Sequence, residues 1–272
     1  MRVEKNVTYR DVAGDRQKLD VYLPAGPAPA GGRPVIVAIH GGGWRKFSKE
    51  EYEPIVAPFA KLGYIVVAPN YRLSAPRSPS WPTNFEDVRD SVRWVRSHAT
   101  ELGADPNRIA AMGESAGGHL AALLGTYPDG AVNPDGPAVG TSSAQVVSAR
   151  VQAVVDFYGP TDLSALDARS AGASGPIRQF LGASPEQAPG RYASASPSSH
   201  VAATDPPFLI VHGSRDWLVN VSQSTGLADK LSSVGVPNRL EIIPGASHGF
   251  GLMVGGRNLL DEIDAFLSAS MP

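Results

Sequence analysis

Apolar residues in this chain fall into short continuous runs separated by longer amphipathic stretches. Val35-Ile36-Val37-Ala38-Ile39 and Ile65-Val66-Val67-Ala68 contain no polar position, the pattern of strands covered on both faces of a parallel sheet. Residues 108–112, 152–158, 208–211 and 239–243 predict further strands. Between the strands, residues 52–62 read as a helix stopped by Gly63, and residues 222–234 and 259–267 read as two more. Asn84 is placed to cap a helix running from Phe85 to about Thr100, with Val88, Val92 and Val95 on one face. At the start, residues 3–9 and 18–23 predict a hairpin joined through 11–15, and 24–34 is a Pro/Ala/Gly loop. This alternation of strand and helix predicts a mostly parallel central sheet with right-handed crossovers and helices on both faces. Two long segments interrupt it. Residues 127–148, rich in Pro, Gly, Asp and Ser, predict a surface loop, and residues 160–207 offer only a short helical hint near 177–181. An insertion of that length at a strand end is more often a lid or pocket wall than a linker. With no internal repeat and no second core, residues 1–272 read as one domain carrying 160–207 as a lid-like insertion.

Composition narrows the function classes. At 272 residues, 42% hydrophobic and 18% charged, the chain is an ordinary globular protein with room for a sizeable core. A net charge of −2 without a long basic run argues against nucleic acid as a partner. The absence of cysteine excludes disulfides, thiolate chemistry and zinc–sulfur sites. No apolar run approaches a membrane span, and Met1-Arg2-Val3-Glu4-Lys5-Asn6 has no apolar signal-like region, so the expected location is cytoplasmic. No H-E-x-x-H pattern or dense His/Asp cluster suggests a metal, and no nucleotide-binding glycine pattern suggests a cofactor; none of either is expected.

The chemistry concentrates around one serine. G-x-S-x-G occurs twice, as Gly113-Glu114-Ser115-Ala116-Gly117 and as Gly245-Ala246-Ser247-His248-Gly249. Only Ser115 stands between a strand-like run and a helix-like one (residues 118–124), the setting in which a sharp turn exposes a serine hydroxyl. Gly113, Ala116, Gly117 and Gly118 supply the small residues that let strand and helix approach. A serine needs a base, and the base needs an orienting acid. Among the histidines after Ser115, His119 lies on the helix behind the turn and points away. His212, at a strand end, could serve, but no acid lies between it and a further helper. His248, in the loop after the last strand, is the expected base. Asp216, just past the 208–211 strand, is the expected acid, Asp162 is its rival, and Asp156 within its strand is expected to be satisfied locally. His40-Gly41-Gly42-Gly43-Trp44 directly follows a strand, and its backbone can come close to a developing oxyanion, so the expected donors are the N–H groups of Gly42, Gly43 and Ala116. His40 is expected to brace that loop. Trp44, Tyr71, Trp81, Tyr158 and Trp217 are candidate substrate contacts.

His40–Trp44, Asn70-Tyr71-Arg72-Leu73, Gly113–Gly118, Asp216 and His248, taken in order, resemble an α/β-hydrolase carboxylesterase of the hormone-sensitive-lipase-like group. They are also similar to the compact bacterial esterases that include feruloyl and acetylxylan esterases. The resemblance implies the α/β-hydrolase fold and a serine carboxylesterase whose triad is Ser115, Asp216 and His248, acting on a small-molecule ester without a cofactor. Two features depart from it. Glu114 stands where many hormone-sensitive-lipase-like enzymes have Asp, and only a hairpin and loop precede His40 where they carry a long cap. The cap's share of the pocket is then expected from 160–207. Its few bulky apolar residues (Leu163, Leu166, Ile177, Phe180, Leu181, Val201 and the part-polar Tyr192) predict a shallow pocket and a preference for acetate to butyrate esters. The same triad on an amide, in a small serine peptidase or an arylformamidase, is the enzymatic alternative, and an inactive binding module on this fold is the non-enzymatic one.

Overall fold

A computed structural model describes residues 1–12, 15–129 and 147–272. The chain opens with a long antiparallel hairpin, β1 (Arg2–Val12) and β2 (Asp15–Leu23), followed by β3 (Arg33–Ile39), α1 (Lys49–Leu62), β4 (Ile65–Pro69), α2 (Thr83–Ser97) and the short α3 (Ala99–Leu102). Then come β5 (Ala104–Glu114), α4 (Ala116–Thr126), β6 (Ala153–Phe157), β7 (Phe208–Gly213), α8 (Ser222–Ser233), β8 (Asn238–Ile243) and α9 (Leu259–Ser270). The eight strands order as β1-β2-β4-β3-β5-β6-β7-β8. β1 and β2 pair antiparallel with each other, β2 runs antiparallel to β4, and the remaining pairs are parallel.

The continuous apolar runs have their cause here. Successive strand side chains point to opposite faces, and this sheet has a core on each. Val35, Val37 and Ile39 of β3, with Ile109 and Ala111 of β5, pack against α2, α4 and α8. Ile36 and Ala38, with Ala110 and Met112, pack against Tyr52, Val56 and Phe59 of α1 and Ile263 and Leu267 of α9. A strand lying between two cores leaves few positions for a polar residue; Asp156 of β6 and His212 of β7 are buried exceptions.

Several expectations need correction. Asn84 is no cap: α2 starts at Thr83, two residues before the expected Phe85, and Asn84 lies fully buried in its first turn. The helix also ends at Ser97, with α3 following as a separate turn. The 160–207 insertion is richer in helix than the hint at 177–181, folding as α5 (Leu163–Arg169), α6 (Ala171–Leu181), α7 (Pro189–Ser194) and a 3₁₀ turn (Pro197–Ser199). A two-residue-per-strand hairpin, β9 (Met253–Val254) and β10 (Arg257–Asn258), precedes α9 and had no counterpart in the pattern. Part of the expected 11–15 connection and most of the expected 127–148 loop lie outside the described residues. No helix among the described residues is long and apolar enough to cross a membrane.

Candidate active site

The carboxyl ends of β3 through β8 gather at one edge of the sheet, where open α/β sheets bind ligands. Ser115 sits between β5 and α4 with φ 53° and ψ −119°, a left-handed backbone that costs on the order of 1–3 kcal/mol in a non-glycine residue. Small neighbours make the turn possible: a Cβ on Gly117 would stand 2.1 Å from the backbone oxygen of Ile39. Of the six non-glycine residues with positive φ among those described, Trp44, Phe47, Ser115 and Tyr158 all lie around this turn.

Ser115 Oγ donates to His248 Nε2 at 2.9 Å, and His248 Nδ1 donates to Asp216 Oδ2 at 2.6 Å. Asp216 is itself fixed by its other oxygen, which accepts from the backbone N–H groups of Leu218 and Val219 at 2.9 Å each. Burial works to raise its pKa, but hydrogen bonds from His212 and His248 outweigh that and hold the carboxyl well below the usual range. Asp162 stands apart from this line; its side chain caps α5 by accepting from Ala165 N at 3.0 Å. Ser247, the serine of the second G-x-S-x-G, leads into a turn rather than a helix.

Gly42 and Gly43 adopt φ of 103° and 59° in the loop after β3. Among the described residues neither N–H has a protein acceptor, and Ala116 N–H, as the first of α4, has none within its helix. All three residues border the same cavity as Ser115 and His248. Tyr71 braces this loop: its hydroxyl donates to His40 O at 2.9 Å and its ring stacks on His40 at 4.3 Å. His40 Nδ1 bonds Gly41 O at 2.9 Å, and burial lowers the imidazole pKa to about 4, so the ring serves as a neutral brace.

The cavity has a volume of about 260 Å³, and Leu166, Ala173, Pro176, Ile177, Leu218 and Val219 form its apolar wall. Trp44 and Tyr158 also border it. The other aromatic candidates do not. Tyr71 is spent on the loop, Trp81 is buried against Phe85 and Phe180, and Trp217 is 76% exposed outside the wall. Trp44 donates its indole N–H to His119 Nδ1 at 3.2 Å and stacks on Phe180 at 4.4 Å. His119 therefore points away from the serine, and burial lowers its pKa to about 4.

Two site features escaped the sequence reading. His212 is a second histidine on the acid: its Nε2 lies 3.2 Å from Asp216 Oδ2 and 2.8 Å from Val219 O, while Nδ1 meets Ser224 Oγ at 2.6 Å. Glu114 accepts from Tyr158 OH at 2.9 Å, and Tyr158 packs its ring edge-on to His248 at 4.8 Å. Burial raises the Glu114 pKa, against the pull of that hydrogen bond and of His248. The i,i+4 spacing of His212 and Asp216 was the only available signal for the first; nothing in the spacing pointed to the second. Among the described residues no cluster suits a metal ion.

Chemically, the arrangement sets a hydroxyl nucleophile against a base held by an ionised acid, beside free N–H donors and an apolar wall. Comparison with known proteins gives three findings. The BD-FAE family model matches residues 19–231. The chain is 35% identical to the probable carboxylic ester hydrolase LipM of Mycobacterium tuberculosis over 263 residues, covering 92% of this chain and 59% of that protein. Esterase LipQ of the same organism is 32% identical, with 93% of this chain and 59% of that protein covered. The chain thus spans about three fifths of the length of these curated relatives. Among solved structures, a truncated carbohydrate esterase from gut microbiota superposes with a TM-score of 0.85 at 28% identity, covering 100% of this chain and 96% of that one. Thermogutta terrifontis esterase 2 with propionate bound superposes with a TM-score of 0.78 at 32% identity, covering 98% and 94%.

Proposed function

This chain belongs to the BD-FAE family and has the α/β-hydrolase fold, and from that premise we propose that it is a serine carboxylesterase hydrolysing short-chain esters through an acyl-enzyme. The observation that carries the reading is the unbroken line Ser115 Oγ, His248, Asp216, with donors of 2.9 and 2.6 Å. Ser115 attacks the ester carbonyl as His248 takes its proton. The N–H groups of Gly42, Gly43 and Ala116 receive the oxyanion. His248 then returns the proton to the leaving alcohol, and water, activated by the same imidazole, releases the acid. Asp216 keeps Nδ1 protonated, so that Nε2 faces the serine.

The preference for short acyl chains rests on the cavity. Its volume of about 260 Å³ lies at or below the lower end of ordinary ligand pockets, roughly 300–1,000 Å³. Each buried methylene contributes about 0.8 kcal/mol, so a chain that outgrows the wall gains nothing further in the transition state. The relative from Thermogutta terrifontis, solved with propionate, holds an acid of matching size. The test is a p-nitrophenyl ester series from acetate to laurate, run below each ester's solubility limit. The expected kcat/KM peaks between acetate and butyrate, and Ser115→Ala lowers kcat by about 10⁶ while keeping the fold. A maximum at long chains overturns the size reading. Undiminished turnover by a folded Ser115→Ala overturns the mechanism.

A further inference from the structure

The mouth of the cavity carries a charge pattern that ester hydrolysis as such does not use. Past Gly43 the chain turns back on itself, with the N–H groups of Arg45 and Lys46 both donating to Gly42 O at 3.2 Å. Trp44 O accepts from Ser74 N at 2.7 Å and Ser74 Oγ at 3.1 Å. Trp44 and Phe47 hold φ of 57° and 71°, so the tip between them is set by anchored residues. Arg45 and Lys46 occupy that tip, exposed and bordering the cavity. Arg45 Nε lies 3.9 Å from where a Cβ on Gly43 would stand, and Lys46 Nζ lies 4.9 Å above the Phe47 ring.

Neither cation has a carboxylate within ion-pair distance among the described residues. Arg89, Arg93, Arg108 and Arg178 all do. The acids next along the chain are engaged: Glu50 pairs with Lys49, and Glu51 accepts from Ser48 N at 2.9 Å. Glu114, the one carboxylate bordering the cavity among the described residues, faces Tyr158 and the Gly41 side instead of the mouth. Two exposed cations on an anchored backbone at the rim of an apolar cavity focus field lines on its entrance and raise the local concentration of anions. A guanidinium also offers a carboxylate a two-pronged hydrogen bond.

We propose that Arg45 and Lys46 bind a carboxylate carried by the ester itself, making half-esters of dicarboxylic acids, or esters of carboxylated alcohols and phenols, the preferred substrate class. This rests on the esterase reading above. The test uses matched pairs on the purified chain. In the acyl arm, monoethyl succinate is compared with ethyl butyrate by pH-stat. In the leaving-group arm, 4-acetoxybenzoate is compared with its methyl ester by phenol release. An exposed charge contact is worth up to about fivefold in an equilibrium, so two give an expected kcat/KM preference for the anion of about three- to tenfold in one arm at low salt. The arm that shows it identifies the side of the ester that carries the charge. The preference is expected to shrink in about 0.5 M salt, where screening reaches only a few ångströms. Arg45→Gln and Lys46→Gln singly reduce the anion-to-neutral ratio by about two- to threefold, and the double Arg45→Glu/Lys46→Glu brings it below one. Each ratio is internal to one variant, so a change in overall activity does not mimic the result. No anion preference in either arm, or a preference that survives charge reversal, overturns the assignment while leaving the esterase reading standing. Failure to hydrolyse any ester, neutral or anionic, overturns both.

Discussion

Replacing Asp156 with asparagine is expected to remove a loss of stability that the protein suffers between acid and neutral pH. Asp156 lies on β6 with no solvent exposure. Its Oδ1 accepts from Gly159 N at 2.9 Å, while Oδ2 has no partner among the described residues. Burial pushes its pKa from 3.8 up to about 6, although the Gly159 bond and nearby His212 pull the other way. A raised carboxyl pKa means that the folded state holds its proton more tightly than the unfolded state. The folded state therefore keeps its full advantage below pH 3.8 and loses it as pH rises towards about 6. A shift of about two units at about 1.4 kcal/mol each puts the loss near 3 kcal/mol, to order of magnitude. Asparagine does not titrate, so the variant escapes it. Its amide can still accept from Gly159, and any unmet donor on the other side adds an offset that does not change with pH. The assay is urea unfolding of both proteins at intervals from pH 4 to 8, with stabilities extrapolated to water. The expected variant-minus-wild-type difference rises by about 3 kcal/mol across pH 4 to 7 and is flat above. A difference constant across that range, or one that falls as pH rises, refutes the argument.

Asp216→Asn is expected to lower kcat by about 10⁴, because the amide favours the wrong tautomer of His248. Asp162→Asn, which still caps α5, is expected to change kcat less than about tenfold and stability by less than about 1 kcal/mol; steady-state kinetics that reverse this ranking would reassign the acid. Gly117→Ala would press a Cβ to 2.1 Å from the Ile39 backbone oxygen, with no flexible side chain to yield. It is expected to destabilise by about 1–3 kcal/mol or more and to depress turnover. Gly226→Ala in α8 meets nothing within 4 Å and is expected to stabilise by up to about 1 kcal/mol. Equal melting temperatures for these two glycine variants would sink the close-approach argument.

The central strands were legible because burial on two faces leaves a signature no surface strand shares. Val35–Ile39 and Ile65–Ala68 carry it in every position. The insertion was hard to read for the opposite reason. The first turns of α6 are built of small residues, of which only Ala173 is buried, and Pro176 falls within the helix, so the apolar spacing of Ile177, Phe180 and Leu181 was seen without the turns that precede it. Asn84 misled because a capping residue type is no guide to where a helix starts when Pro82 precedes it. Ser115, Asp216 and His248 were legible as an ordered set of chemically able residues in loops after strands, and the structure brings them within hydrogen-bond distance. The aromatic candidates were chosen by nearness in sequence to those loops. Tyr71 and Trp81 show the weakness of that criterion, since both turn inward to support the site's neighbours. The sharing of Asp216 between His248 and His212 depends on side-chain direction at a strand end, which spacing alone does not give.

Trp44 joins three parts of the molecule. It closes the glycine loop, its indole bonds the helix behind the serine through His119, and its ring lies flat on Phe180 of the insertion. A segment connecting two strands over the surface is ordinarily free to drift in length and sequence. Here that drift is tethered: whatever moves Phe180 moves the residue bordering the glycine loop. Exchanging the insertion for that of another family member would transplant a new wall onto an unmatched anchor. Grafts that carry the partner of Trp44 along with the wall should therefore keep their rate far more often than grafts cut to the wall alone.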